Sequence, residues 1–197
     1  MDMENTDELT ALREKLRSQR PVAWDQLPDF SLYMDQVLSY MERQVFRFEE
    51  GDGLTAAMVN NYTKSGLVPR AEGKKYSREH LAYLTAICIL KRVMSTRDMD
   101  LLIHEELQGS HSVESGYKAF CASLDKALNI TVEEMEARPA DSSLADAAIH
   151  FALLSYAAGV ASSRYVALLR QQKEQSGDLP AKGKNKGKKE KEREEHA

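Results

Sequence analysis

The sequence predicts an all-α fold, on three observations. Apolar residues recur at helical spacing in one segment after another. Ser or Thr stands at the head of most of these segments, where a helix N-terminus needs an oxygen acceptor. Only ten Gly and five Pro occur in 197 residues, too few for the many turns of a β-sandwich. With 42% apolar residues the chain can bury a core as one compact domain, or as a small domain with a helical extension.

Residues 1–20 are polar, with a weak helical pattern through Leu9, Leu12 and Leu16. The connector over residues 20–29, RPVAWDQLPD, holds two prolines, and Trp24 is expected to anchor it to the core. Over residues 31–48, Leu32, Val37, Leu38, Met41, Val45 and Phe48 predict an amphipathic helix, capped by Ser31 and ended at Gly51 and Gly53. The next helix opens at Leu54-Thr55 and closes at Gly66, a C-terminal glycine able to turn left-handed. Pro69 then draws Val68 into an extended form. Residues 70–75, RAEGKK, read as a short polar loop with Gly73 near its tip.

Ser77 is expected to cap a strongly apolar helix over residues 81–94, central and buried. Ser95 with Asp98 reads as a capping box for the helix MDLLIHEEL, stopped by Gly109 and Ser110. A further helix over residues 113–129 carries Tyr117, Phe120, Leu124 and Leu128 on one face. Thr131 and Glu134 pattern as another capping box, opening a brief acidic turn that Pro139 ends. The last helix, over residues 144–172, has its stripe at Leu144, Ala148, Phe151, Ala158, Tyr165 and Leu169, expected chiefly to pack on the core. About six helices result. Beyond Ser176, seven basic and five acidic residues without an apolar cluster predict a disordered charged tail.

Two cysteines, Cys88 and Cys121, cannot build a disulfide framework and suit a reduced, cytoplasmic compartment. The charged N-terminal segment lacks the apolar stretch of a secretion signal. Residues 147–163 are apolar but contain His150, lie between Asp146 and Arg164, and fall short of the ~20 residues a spanning helix needs, so no membrane is expected. The net charge of −4 argues against nucleic acid, but its distribution argues for it. Residues 55–97 carry eight basic side chains against two acidic, and residues 98–140 carry nine acidic against three basic. A basic island in an acidic chain is the footprint of a site for a polyanion.

The functional constellation is a helix, a glycine, a short loop, Tyr-Ser and a second helix: LTAAMVNNYTKSGLVPRAEGKKYSREHLAYLTAICILKR. A helix that enters the major groove turns short polar or amide side chains outward. Met58, Val59 and Tyr62 are expected to face inward, leaving Thr55, Ala56, Asn60, Asn61 and Lys64 for the groove. Asn suits bidentate contact with adenine, and Lys64 suits phosphate or guanine. Arg70, Lys74, Lys75 and Arg78 are placed to hold phosphates, which position a protein without reading sequence. Tyr76 either packs the loop on the core or donates to a phosphate.

This stretch resembles the N-terminal domain of MerR-type regulators, a winged helix-turn-helix family. The resemblance runs through Tyr62, Gly66, Leu67, Val68 and Pro69, then Lys74, Lys75, Tyr76, Ser77, His80 and Leu81, and covers about fifty residues. Asn60 and Asn61 stand where that family has Arg and Tyr, and the wing is shortened. LYMDQVL and MVNNYTKSGLVP are also similar to a group of uncharacterised bacterial proteins of this type, known only as a domain of unknown function. The resemblance implies a DNA-binding transcriptional regulator. Its organisation would be an arm and connector at 1–30, the helix-turn-helix domain at 31–108, a helical dimerisation or effector region at 109–175, and the tail at 176–197. The expected partners are double-stranded DNA and a second copy of the chain, with an unidentified small effector open.

No cofactor, metal or catalytic residue is expected. His104-Glu105-Glu106 and His111 lack the one-turn spacing of a zinc-protease pair, and Cys88 and Cys121 lack closely spaced partner ligands. The alternative is an interaction adaptor that keeps the helix-turn-helix fold and binds protein, a reading that the replaced Arg and Tyr keep open.

Overall fold

The computed structural model describes residues 3–44, 53–108, 112–139 and 142–177. Seven α-helices lie among them. They are α1 (Met3–Ser18), α2 (Met34–Gln44), α3 (Ala56–Ser65), α4 (Arg78–Leu90), α5 (Thr96–Ile103), α6 (Val113–Glu136) and α7 (Leu144–Ser176). A 3-10 turn (Trp24–Gln26) lies in the connector, and a π turn (His104–Gln108) extends α5.

The hub is α4. Every residue from His80 to Cys88 is buried, and α2, α5 and α6 pack around it. Leu81, Leu84 and Ile87 are fully enclosed, each contributing about 1.5–3 kcal/mol of burial free energy. The helix begins where it does because the Ser77 backbone N–H donates to His80 Nδ1 at 3.0 Å, closing a capping box with histidine in the usual carboxylate position. Burial holds the His80 imidazole below its ordinary range, against the pull of the Arg70 and Pro69 carbonyls and the Glu79 and Glu72 carboxylates.

Trp24 does anchor the connector. Its ring lies 6.1 Å from that of Tyr117, and Tyr117 OH donates to the Val22 carbonyl at 2.8 Å. A second, smaller cluster joins Leu16 of α1 to Leu128 and Val132 of α6. There Arg20 donates to Asp125 and Asn129, and Arg17 to Glu136.

Several sequence expectations need correction. Ser31 does not start α2, because Leu32 is taken into a paired bridge with Tyr76 and the helix begins at Met34. The described part of α2 ends at Gln44; Val45, Phe48 and Gly51 lie outside the described residues, as do Gly109, Ser110, His111 and the tail from residue 178. No acidic turn opens at Thr131. α6 runs straight through it, with Thr131 Oγ1 donating back to the Ala127 carbonyl at 2.9 Å.

The expected core stripe of α7 is also absent. Leu144, Ala148, Ala158 and Tyr165 are exposed, Phe151 and Leu169 are half-buried, and the buried residue is Val166. The helix is fastened near its two ends, by His150 to Glu134 and by Arg170 and Lys173 to Asp98 and Glu105. By length and composition alone it is long and apolar enough to cross a membrane.

Candidate nucleic-acid interface

Helix α3 is organised by one buried residue and one exposed row. Val59 is enclosed, while Met58 and Tyr62 are half-buried, Tyr62 packed against the main core. Ala57, Asn60, Asn61 and Lys64 are exposed, and their spacing of three, one and three residues places them on one face. Thr55 sets the start of the helix, its Oγ1 accepting from the Met58 N–H at 3.2 Å. That lone pair is engaged, while the hydroxyl proton remains free to donate outward. Ala56 is half-buried, behind the row. Ten residues at ~1.5 Å rise make α3 about 15 Å long, and a major groove admits one helix of this kind.

At its end α3 turns on Gly66 at φ 88°, a conformation that side chains with a Cβ rarely adopt. Val68 N–H returns to the Tyr62 carbonyl at 3.2 Å, and Leu67 and Val68 are buried beneath the helix. The chain then forms the smallest of hairpins. Glu72 and Lys75 form an antiparallel bridge, with Lys75 N–H donating to the Glu72 carbonyl at 2.9 Å. The two residues between them, Gly73 at φ 54° and Lys74 at φ 65°, both lie in the left-handed region, as a two-residue type I′ turn demands. Glycine meets that demand without cost; lysine does not. Lys74 is the described non-glycine residue with positive φ, and it projects a cation from the tip of the loop.

The structure sorts the remaining expected contacts. Arg70, Lys74 and Lys75 are exposed, as a surface for phosphates requires. Arg78 is half-buried, its guanidinium 5.7 Å from the Trp24 ring centre, so its reach outward is restricted. Tyr76 is buried and leaves the set of DNA contacts. Its N–H and C=O each pair with Leu32 at 2.8 Å, its ring meets that of His80 edge-on, and burial pushes its phenol up. Of the two roles left open for Tyr76, packing is the one it fills.

That same Leu32–Tyr76 pairing brings in two residues the sequence reading missed. Phe30 and Tyr33 flank Leu32 and are 64% and 51% exposed. Lys75 Nζ lies 5.5 Å from the Tyr33 ring centre, a cation–π distance. An apolar edge thus borders the basic loop. The one available signal is an aromatic on either side of Ser31-Leu32; the helix expected over residues 31–48 takes in Tyr33 and leaves Phe30 unassigned.

Among the described residues no group of three or more His, Cys, Asp or Glu side chains is arranged to hold a metal ion. Cys88 and Cys121 are not joined in a disulfide, and the first is buried and the second half-buried. Burial raises the Cys121 thiol above its ordinary range, leaving it in its unreactive protonated form.

No curated protein and no solved structure matches the chain. One family model does, over residues 22–120, from the connector through the first third of α6. This span contains α3, the hairpin, α4 and all of the main core from Trp24 to Tyr117. It is half of the chain, and the protein therefore belongs to the family described as domain of unknown function DUF1836.

Proposed function

We propose that this protein is a DNA-binding transcriptional regulator of the MerR-like winged helix-turn-helix type, acting in the cytoplasm as a homodimer. The observation that carries the reading is the pairing of an exposed, amide-bearing helix face with a cationic hairpin that directly follows it in the chain. Asn60, Asn61 and Lys64 share that face, and no acidic residue lies between Leu54 and Ala71 to repel a phosphate. In this reading α3 enters the major groove, its two asparagines meet base edges, and Lys64 meets phosphate or guanine. Arg70, Lys74 and Lys75 lie along the backbone and fix the register. A two-fold dimer supplies the second half-site, since one motif of this size offers few base contacts.

The test is duplex binding across a salt series, from 50 to 200 mM. A protein that neutralises several phosphates loses affinity steeply with salt. Lys74→Ala combined with Lys75→Ala should weaken all sequences alike and flatten the salt slope by about 2, whereas Asn60→Ala or Asn61→Ala should change the preference among sequences. Equal behaviour of the two sets refutes this division of roles. A chain with no affinity for duplex at any salt returns the question to the adaptor reading.

A further inference from the structure

Helix α7 carries a row of apolar side chains that no other described residue covers. Ile149, Leu153, Tyr156 and Val160 are 59%, 62%, 72% and 54% exposed. Their spacing of four, three and four residues continues to Ser163 and Ala167, which are exposed as well. An alternation of four and three is the signature of a seam between two helices wound about each other. At 100° per residue the half-buried Ala147, Phe151 and Leu169 fall about opposite this row, and Val166, the buried residue of α7, falls about 100° from its centre. Leu168 projects from the flank that carries His150, and Leu154 and Tyr165 lie further round towards the side opposite the row; none of the three is part of it.

We propose that this row is an antiparallel helix–helix seam with α7 of a second copy of the chain, about a two-fold axis beside Ala158. The sequence of the row argues for both partner and direction. Its spacing reads the same from either end, and its large members stand at one end and its small ones at the other. Antiparallel pairing sets Ile149 against Ala167, Leu153 against Ser163 and Tyr156 against Val160 of the other copy. Each layer then holds one larger and one smaller side chain, which fills the seam evenly. Parallel pairing sets Tyr156 on Tyr156 and Ile149 on Ile149, and leaves a gap at Ser163 and Ala167. A lipid bilayer is the competing occupant, but His150 meets Glu134 near one end of α7 while Arg170 and Lys173 pair with Asp98 and Glu105 near the other, and carrying the segment between them across a bilayer would break one of these fastenings. Arg164 interrupts even that segment.

This inference names the contact behind the homodimer proposed above and is tested without DNA, so that either reading can fail alone. Light scattering on the full chain should give twice the 22.2 kDa chain mass. The double variant L153E/V160E should halve it while far-UV circular dichroism stays unchanged, because both side chains already face solvent. A single-chain mass for the parent, or a mass indifferent to these substitutions, overturns the seam. So does a monomer that floats with phosphatidylcholine–phosphatidylglycerol vesicles.

For direction, an L153C chain and a size-tagged S163C chain, each with C88A and C121A, are mixed and treated with a short bis-maleimide linker. The mixed product should dominate. In the antiparallel register two copies of L153C stand ten residues apart, about 15 Å along the axis, beyond the reach of a short linker. Dominant self-linked L153C overturns the register.

Discussion

Lys74 allows stability and binding to be separated at a single position. It occupies the second place of the Glu72–Lys75 turn at φ 65°. An L-residue pays about 1–2 kcal/mol for that conformation, and asparagine is markedly more tolerant of it. Lys74→Asn should therefore raise folding stability by about 1 kcal/mol, which in a chain of this length is a melting-temperature gain of about 2–4 °C. Lys74→Ala keeps a Cβ at the same φ and should leave the midpoint nearly unchanged. Both variants remove the tip cation. Each should lower duplex affinity equally and reduce the salt slope by about 0.9, the share of one phosphate contact. Thermal melts give the first quantity, and fluorescence anisotropy on labelled duplex from 50 to 200 mM salt gives the second. Lys74→Asn that melts below the parent refutes the strain argument; Lys74→Asn that binds with the parent's affinity and slope refutes the phosphate contact. A stabilised protein that binds worse is the outcome expected of a lysine kept at a strained site for its charge.

Phe30→Ala should weaken duplex binding about fivefold at every salt concentration, since loss of roughly 1 kcal/mol of apolar contact leaves the ion count untouched; a changed slope would tie Phe30 to the cations instead. The His80 imidazole titrates below its usual value of about 6.5, so the unfolded chain binds more protons than the folded one in the window beneath that value. Stability is therefore full above about pH 6.5 and falls as the pH drops through this window, and the urea midpoint should decrease from pH 7 to pH 5 by less in His80→Gln than in the parent. Tyr117→Phe removes the hydrogen bond to the Val22 carbonyl and leaves that acceptor unpaired, a loss of about 1–3 kcal/mol that thermal melts would register. An unchanged midpoint would mean that the buried Trp24 and Leu27 hold the connector without this bond.

What the sequence made legible, and what it concealed, divides between local and distant causes. α4 was readable because an unbroken apolar run behind a serine has no other plausible home. The turn at Gly66 was readable because left-handed backbone and glycine go together. The exposure of Asn60, Asn61 and Lys64 on α3 follows from helical periodicity alone, whereas Ala57 and not the expected Ala56 completes their row. The start of α2 was misplaced because Leu32 answers to Tyr76, a residue far along the chain, rather than to its neighbours. Thr131 and Glu134 have the spacing of a helix start, but the threonine hydroxyl turns back on its own helix, and no local pattern distinguishes the two uses. Phe30 and Tyr33 reach the basic loop through the same distant bridge. In α7 the stripe of apolar residues was visible while its covering was not, because periodicity tells which face is apolar and is silent on what meets it.

The two apolar clusters divide the molecule along the family boundary. Every buried member of the larger one lies between Trp24 and Tyr117, whereas Leu16, Leu128 and Val132 all lie outside residues 22–120. α6 belongs to both, its first half tied to α4 and its second half to α1. The outer pair can consequently come undone as a partial, low-energy opening while the inner body keeps its shape. α1 then acts as a detachable brace: its departure would shorten the ordered length of α6 and loosen the base from which α7 departs, and would leave the hairpin and α3 where they were.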